Sequence, residues 1–374
     1  ARLGGDEFTV ILSNLKYSKS ASAVASKIIK SLQYPITIEG HELNISGSIG
    51  ITIAPDDSMD ANELMRFADM AMYRAKSSGR NNSQFYTDDM NLANEARNSL
   101  ENALRIAVEA KSFVVYFQPQ VDLNEHRISG FEALMRWQQA EGDILPDRFI
   151  AVAEETGMII EIGEIVLRKT CEQMQLLREA GFSDQKVSVN LSEKQFRDKN
   201  LISMTQRILS ETNFDANALE FEITEHMVMH HVDEAIKTMT HLKSLGVSIA
   251  IDDFGTGFTS LSVLARLPVD KLKVSRSFIS KLFTDEGETS IASAVISLAK
   301  HLNMTVAAKG VENAEQLAFL KANNCSTQQG FLFCAPVSVA ELLPQLSKLQ
   351  DNLQERSVEN VLQVEANDVD ALRH

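Results

Sequence analysis

Residues 247–253 read VSIAIDD, a short apolar run that ends in two aspartates. Residues 232–245, just before it, space their apolar side chains as one face of an amphipathic helix does. The same alternation of a short apolar run with a longer helical stretch extends in both directions, from residue 114 to residue 333. This rhythm predicts an α/β fold made of repeated strand and helix units.

Eight apolar runs in this region are predicted as strands: VVYFQPQV (114–121), ISGFEALMRW (128–137), KVSVNLS (186–192), LEFEITE (219–225), VSIAIDD (247–253), DKLKVS (270–275), MTVAAKG (304–310) and STQQGFLF (326–333). Helices are predicted between them, at 162–180, 201–212, 232–245, 289–301 and 314–322. Eight strands separated by helices over about 240 residues have the count and length of a TIM-like (β/α)8 barrel.

The first 87 residues show the same α/β rhythm with fewer strands. Strands are predicted at 7–12 and 43–53, and helices at 21–32 and 60–77. Residues 88–111 contain no glycine or proline and space their apolar residues at helical intervals, which predicts a connecting helix. The predicted organisation is a partial α/β domain at 1–87, a linker helix at 88–111, the barrel domain at 112–350 and an acidic tail at 351–374.

The composition of the 374 residues limits the possible partners. Lys and Arg total 36 against 51 Asp and Glu, a formal net charge of -15, which argues against a broad cationic surface for duplex nucleic acid. Three cysteines without metal-ligand spacing favour a reducing, cytoplasmic setting. No apolar run reaches the roughly 20 residues of a membrane span. Because the chain opens without methionine, we expect a fragment of a longer parent and a membrane contact only through a missing N-terminal part.

Oxygen-bearing side chains recur near the ends of the predicted barrel strands, where barrel enzymes place their sites. Glu132, Asn190, Glu222 and Asp252 come from four separate strands and together suit one hard divalent cation such as Mg²⁺, Mn²⁺ or Ca²⁺. The adjacent Asp253 would help to bridge to a second ion, an arrangement that cleaves phosphodiesters. Any one of these residues alone is better explained as a helix cap or a solvated side chain, but their recurrence in strand order favours a site.

Seven motifs in order resemble an EAL domain: FEALMRW (131–137), VNLS (189–192), EITE (222–225), DDFGTGFTSL (252–261), LPVDKLK (267–273), GVE (310–312) and QGFLF (329–333). The resemblance runs from about residue 113 to residue 336. The family consists of cyclic-di-GMP phosphodiesterases and their catalytically silent relatives. It implies a TIM-like barrel whose first strand is antiparallel to the rest, with cyclic-di-GMP as the ligand.

The upstream region is similar to the second half of a GGDEF, or diguanylate cyclase, domain. Three motifs carry this resemblance, namely RLGGDEF (2–8), SIGIT (48–52) and ADMAMYRAKSSGRN (68–81). The first half of that domain, with a metal-binding aspartate and the residues that hold guanine, is absent. We therefore expect no cyclase activity from this chain.

The EAL resemblance also implies roles for individual residues. It implies metal ligation by Glu132, Asn190, Glu222 and Asp252, with Asp253 toward a second ion, and Mg²⁺ or Mn²⁺ as the cofactor. It further implies Lys273 near the attacking water, Arg136 on a phosphate, Glu225 in loop ordering, and ligand contacts by Gln118, Leu134, Glu312 and Gln329. In the family the DDFGTGFTSL loop links metal binding to a dimer contact, so a homodimer through the barrel is expected.

Two positions depart from the family pattern. Ser275 stands where active members carry the aspartate of Lys-Ile-Asp, and Lys309 stands where they carry the first glutamate of Glu-Gly-Val-Glu. At about 5 Å and an effective dielectric near 20, an ammonium repels each unit of positive charge by roughly 3 kcal/mol, and a divalent ion by about twice that. The second ion should therefore bind poorly. The ammonium of Lys309 is free in principle to pair with a phosphate instead.

Three functions follow from these features. The first is a cyclic-di-GMP receptor that binds with little or no hydrolysis, using one ion or none. The second is a phosphodiesterase that still produces linear pGpG. The third is a protein-interaction scaffold that no longer binds nucleotide. The retained Glu132, Arg136, Asn190 and Asp252 argue against the scaffold, whereas Lys309 and Ser275 argue against the enzyme.

Overall fold

The computed structural model describes residues 1–15, 17–38, 41–140, 142–229, 231–257 and 260–354. The predicted acidic tail beyond residue 354 lies outside these residues. The chain divides into two compact units, Ala1–Asn102 and Ala103–His374, and the boundary falls inside helix α3 (Asp89–Glu109). This helix lies within the range 88–111, where the sequence predicts one.

The described residues of the first unit form three two-stranded sheets and two helices before α3. The sheets pair β1 with β2 and β3 with β4 in antiparallel fashion, and β5 with β6 in parallel. The elements are β1 (Arg2–Gly4), β2 (Glu7–Phe8), α1 (Lys19–Leu32), β3 (Ile36–Ile38), β4 (His41–Leu43), β5 (Ile49–Ile51), α2 (Ala61–Ser77) and β6 (Ser83–Phe85).

Helix α2 is defined by a cap at its start and by an apolar face. The Asp60 carboxylate accepts hydrogen bonds from the backbone N–H groups of Asn62 and Glu63, which satisfies two donors that a helix leaves free. Phe67 of α2 is buried and stacks on Tyr86, with ring centroids 4.1 Å apart. These contacts anchor the helix in the first unit.

Two strand predictions in this unit are wrong in extent. The strand predicted at 7–12 ends at Phe8, and the run predicted at 43–53 is divided between β4 and β5. A strand needs a neighbour for its backbone hydrogen bonds. Thr9 still exchanges hydrogen bonds with Ala1, but Val10 and Ile11 belong to no described strand and are 60% and 89% exposed.

The second unit contains a closed barrel of eight strands in the order β10-β11-β12-β13-β14-β7-β8-β9. The strands are β7 (Phe113–Asp122), β8 (Arg127–Trp137), β9 (Lys186–Asn190), β10 (Leu219–Thr224), β11 (Ser248–Phe254), β12 (Lys271–Val274), β13 (Thr305–Lys309) and β14 (Thr327–Gln329). Each of these strands overlaps one of the eight predicted runs. Strand β7 is antiparallel to both β8 and β14, whereas the other neighbours are parallel, as the resemblance implies.

Helices and two short 3-10 turns connect the barrel strands. The helices are α4 (Ile150–Thr156), α5 (Ile159–Glu179), α6 (Glu193–Phe196), α7 (Leu201–Thr212), α8 (Glu225–Met229), α9 (Val232–Ser244), α10 (Leu261–Leu264), α11 (Arg276–Ser280), α12 (Glu286–His301), α13 (Ala314–Ala322) and α14 (Val339–Gln354). None of the described helices is long and apolar enough to cross a membrane.

Candidate functional site

A buried lysine joins the predicted site residues at the C-terminal ends of the parallel strands. Lys273 on β12 is fully buried, and its Nζ donates to Glu132 Oε2 at 2.9 Å and also to Glu222. Asn190 at the end of β9 donates from Nδ2 to Glu132 Oε1 at 2.8 Å. The structure therefore brings four side chains from four strands into one contact network.

Glutamines extend this network toward β7 and β14. The register of β7 and β8 sets Gln118 opposite Glu132. Gln329 donates from Nε2 to Glu132 Oε2 at 2.7 Å and to Gln118 Oε1 at 2.8 Å. Gln120, which the sequence analysis missed, donates to Gln329 Oε1 and to Ser188 Oγ, both at 3.3 Å. Its signal was the alternation of glutamines in the apolar run FQPQV, since alternate residues of a strand share a face.

Lys309 lies at the end of β13 and contacts the paired aspartates. Its Nζ is 2.5 Å from Asp252 Oδ2 and 3.9 Å from Asp253 Oδ1. Successive side chains of a regular strand point to opposite faces. Here the pairing of β11 with β12 shifts register between Ile251 and Phe254, and Asp253 has a left-handed φ of 49°. This irregularity allows both aspartates to approach one ammonium.

The charges of the network are set by burial and by the two lysines. Burial alone would raise the pKa of Glu132, but Lys273 and Lys309 lower that pKa to about 2. Burial and the neighbouring Glu132 raise the pKa of Glu222 to about 7. Burial opposes the charge of Lys273, yet Glu132 and Glu222 raise its pKa above the ordinary value. Lys273 is therefore a permanent internal cation.

Two oxygen atoms of this network bear on metal binding. Glu222 Oε2 and Asp252 Oδ1 are buried and have no hydrogen-bond partner among the described residues. They belong to adjacent parallel strands, and unpartnered buried carboxylate oxygens suit one hard cation. The other oxygen of Asp252, Oδ2, accepts a hydrogen bond from the Lys309 ammonium. As the described side chains stand, no group of three or more His, Cys, Asp or Glu residues is arranged to hold a metal.

Arg136 lies apart from the buried network, at the end of β8. Glu132, Leu134 and Arg136 alternate along this strand and so share one face, with Leu134 half-buried. The Arg136 guanidinium carbon is 5.2 Å from the centroid of the Tyr116 ring. A hydrogen bond to Asp143 raises the pKa of Tyr116. Tyr116 and Asp143 were not predicted as site residues, and no motif points to either.

Glu225 holds the segment that follows β11. The side chain is buried, and its Oε2 accepts a hydrogen bond from the backbone N–H of Gly255 at 3.1 Å. A Cβ atom added at Gly257 would lie only 2.8 Å from Glu225 Oε1, so the chain passes close to this carboxylate. Phe258 and Thr259 of the DDFGTGFTSL motif lie outside the described residues.

The remaining predicted positions have other partners. Glu312 pairs with Arg276 at 2.6 Å, and the Arg276 guanidinium lies 5.8 Å from the Phe331 ring centroid. Ser275 is buried and caps α11, because its hydroxyl accepts a hydrogen bond from the backbone N–H of Ser277 at 3.3 Å. A serine at this position supplies no anion to the network.

The fold and site together define a TIM-like barrel with an antiparallel first strand and a carboxylate and lysine network at its mouth. The EAL domain model matches residues 101–336, well over half of the chain, and the diguanylate cyclase GGDEF domain model matches residues 1–82. The chain belongs to the EAL family, and its EAL domain follows a GGDEF segment.

Characterised bacterial proteins are similar to this chain. The bifunctional diguanylate cyclase/cyclic di-GMP phosphodiesterase MucR of Pseudomonas aeruginosa is 40% identical over 344 residues, which cover 92% of this chain and 50% of MucR. The cyclic di-GMP phosphodiesterase NbdA of the same organism is 36% identical over 343 residues, 91% of this chain and 44% of NbdA. The chain thus spans about half the length of these curated relatives.

A solved structure shows the same likeness in three dimensions. The PaMucR phosphodiesterase in its c-di-GMP complex superposes with a TM-score of 0.63 at 38% identity, covering 65% of this chain and 99% of that one. The chain is therefore an EAL protein related to cyclic-di-GMP phosphodiesterases.

Proposed function

We propose that the chain is a cyclic-di-GMP receptor whose barrel binds the nucleotide at its mouth with little or no hydrolysis. The observation that carries the proposal is the ion pair between Lys309 and Asp252, which places a cation of the protein on an acid expected to bind metal. The c-di-GMP complex of the similar PaMucR phosphodiesterase supports the choice of ligand.

The proposed binding residues have complementary chemistry. Arg136 supplies a planar cation for a phosphate, and its position over Tyr116 limits its freedom before the ligand arrives. The proposed further contacts are Gln118, Leu134, Glu312 and Gln329. Gln329 already donates a hydrogen bond to Gln118, so the two amides are oriented before a ligand binds.

Two acids that hydrolysis would use are missing from this site. A bound divalent ion would supply a water of lowered pKa and screen the phosphate charge. Glu132, Asn190, Glu222 and Asp252 would hold such an ion, Mg²⁺ or Mn²⁺. Asp253 would have to serve a second ion next to Lys309, and Ser275 supplies no carboxylate to orient Lys273 or a water. We therefore expect binding to persist where turnover does not.

A second candidate is a phosphodiesterase that works with a single ion. The two unpartnered oxygens, Glu222 Oε2 and Asp252 Oδ1, favour this alternative, as do the names of MucR and NbdA. A scaffold without nucleotide binding has no comparable support, because Arg136 and the glutamine pair remain in place.

Calorimetry with cyclic-di-GMP, with and without Mg²⁺ or Mn²⁺, tests the proposal when the same samples are then separated by chromatography. We expect binding heat and intact cyclic-di-GMP. Linear pGpG would establish the phosphodiesterase, and an absence of heat would establish the scaffold. Arg136→Ala should weaken binding strongly while leaving it measurable, whereas Lys321→Ala, an exposed site on α13, should leave it unchanged.

Further features remain proposals. We propose the functional division 1–87, 88–111, 112–350 and 351–374, a homodimer through the barrel and a cytoplasmic location, the last supported by three free cysteines. Sedimentation with and without nucleotide tests the dimer. Incubation with GTP and Mg²⁺ should yield no cyclic-di-GMP.

A further inference from the structure

The two oxygens of Asp252 have different surroundings. Oδ2 accepts a hydrogen bond from Lys309 Nζ at 2.5 Å, whereas Oδ1 is buried and has no partner among the described residues. On the adjacent strand β10, the two oxygens of Glu222 differ in the same way, because Oε1 accepts a hydrogen bond from Lys273 and Oε2 has no partner among the described residues. These two carboxylates therefore have one oxygen each that is already paired with an ammonium group and one oxygen each that is open to a cation.

Lys309 is held beside the aspartates by the barrel. It ends β13 in register with Gln329 of β14, and its side chain is only 19% exposed. Gly310, the next residue, has a left-handed φ of 75°, and an added Cβ would lie 2.3 Å from the Arg276 side chain. The backbone on both sides of Lys309 is thus held by a sheet and by close packing, and most of the Lys309 side chain is buried beside Asp252.

We propose that the Lys309 ammonium permanently replaces a second divalent cation, so that the site takes one metal ion and one tethered ammonium. This inference rests on the proposed function, because it concerns the same site. An ammonium can neutralise Asp252 and face a phosphate, but unlike a divalent ion it does not convert a bound water into hydroxide near neutral pH. A lysine at position 309 would therefore keep the charge-neutralising role of a second ion and lose its role in activating water.

The irregularity of β11 explains why an ammonium at position 309 can serve both aspartates. Asp253 Oδ1 lies 3.9 Å from Lys309 Nζ only because the strand is irregular there and Asp253 has a left-handed φ. One ammonium therefore lies next to both acids. A longer guanidinium would keep the positive charge, and an uncharged side chain would leave both acids without a partner.

The test is titration of the full chain with Mn²⁺ alone, followed by calorimetry and by the electron paramagnetic resonance signal of free Mn²⁺. We expect one bound ion in the parent and two in Lys309→Glu. Lys309→Met should bind its first ion at least about 10-fold more tightly, because an ammonium no longer competes for Asp252. Lys309→Arg should keep one ion, and Lys321→Ala should match the parent.

Two ions in the parent, one ion in Lys309→Glu, or no ion in any form would overturn the proposal. Thermal unfolding shows which variants are folded. If Lys309→Glu does not fold, the Mn²⁺ affinity of Lys309→Met still tests whether the ammonium competes with the ion for Asp252. Binding of cyclic-di-GMP by the parent is measured separately. If the nucleotide binds but the number of bound ions differs from the expected one, the proposal for Lys309 is wrong and the proposed receptor function is kept. If no nucleotide binds, the proposed receptor function is wrong whatever the number of ions.

Discussion

Lys273 carries a buried positive charge whose partners are two glutamates on other strands. Its side chain is fully buried, and those of Glu132 and Glu222 are 4% and 0% exposed. Removing one partner from a buried ionic group leaves uncompensated charge, which commonly costs about 3–5 kcal/mol. The ammonium is therefore needed for stability as long as no other cation neutralises the acids.

Lys273→Met should lower the free energy of unfolding of the barrel by about 3–5 kcal/mol without divalent ions. Because a bound metal would neutralise the same carboxylates, we expect Mn²⁺ to restore much of the loss, through binding to the folded state. Urea unfolding with and without Mn²⁺ measures both effects. Equal losses under the two conditions would contradict neutralisation of the same carboxylates by the ion.

Tyr116 should position Arg136 for a phosphate. Tyr116→Phe removes the hydrogen bond to Asp143 but keeps the ring under the guanidinium, so we expect cyclic-di-GMP affinity to fall about 3- to 10-fold. Tyr116→Ala should cost more, because the cation–π contact is also lost. In an Arg136→Ala background neither change should matter, which calorimetry on the double variants checks.

The three cysteines should be unreactive in the folded chain. Burial raises the pKa of the Cys171 and Cys325 thiols to about 12 and that of Cys334 to about 11, and only the thiolate reacts readily. At pH 8 we expect a colorimetric thiol reagent to label none of them rapidly, and all three after denaturation. Rapid labelling of one native thiol would show local opening around that residue.

Strand β5 packs closely against helix α2 at a glycine. A Cβ atom added at Gly50 would lie 1.8 Å from the carbonyl oxygen of Ala68 and 2.3 Å from the amide nitrogen of Met72. Both atoms are backbone and cannot move aside by changing a rotamer. The absence of a side chain at this position is therefore a condition for the packing of the strand on the helix.

Gly50→Ala should separate β5 from α2 at a cost of about 1–3 kcal/mol or more. Hydrogen exchange measured by mass spectrometry should show faster exchange in peptides from β5 and α2, with the barrel strands unchanged. Gly4→Ala is the matched control, because nothing lies within 4 Å of a Cβ atom there. Unchanged exchange in Gly50→Ala would mean that the two elements do not pack as described.

Considered as a whole molecule, the chain consists of two units that differ in how completely they bury their apolar residues. The barrel closes on itself and leaves no open sheet edge among its eight strands. The described part of the first unit has only two-stranded sheets, and Phe8, Val10 and Tyr34 are 71%, 60% and 75% exposed. The barrel is therefore expected to carry its function independently.

Residues 103–354 expressed alone should fold and bind cyclic-di-GMP within about twofold of the full chain, since all proposed contacts lie in the second unit. Residues 1–88 alone should unfold with low cooperativity, because two-stranded sheets are marginal without further packing. Circular dichroism and calorimetry on both pieces give the answer. Loss of nucleotide binding in the isolated barrel would show that the first unit is required.

The positions of the barrel strands were predictable because their signals are local. Each of the eight apolar runs contains a strand, and polar residues near the strand ends met at one mouth because parallel strands end on one side. The antiparallel first strand came from the EAL resemblance, not from periodicity. The strands of the first unit were predicted too long, because a run such as 7–12 forms a strand only where a neighbour pairs with it.

The amino-acid order was thus sufficient for the fold class, the family and the set of residues at the mouth, because periodicity and motifs are properties of neighbouring positions. The partners of those residues depended on the assembled barrel. Lys309 pairs with Asp252, and Asp253 also approaches it because β11 is irregular at that residue. Tyr116 is paired with Asp143. Such pairings join residues distant in sequence through backbone irregularities and side-chain directions, which arise only when the strands are packed together.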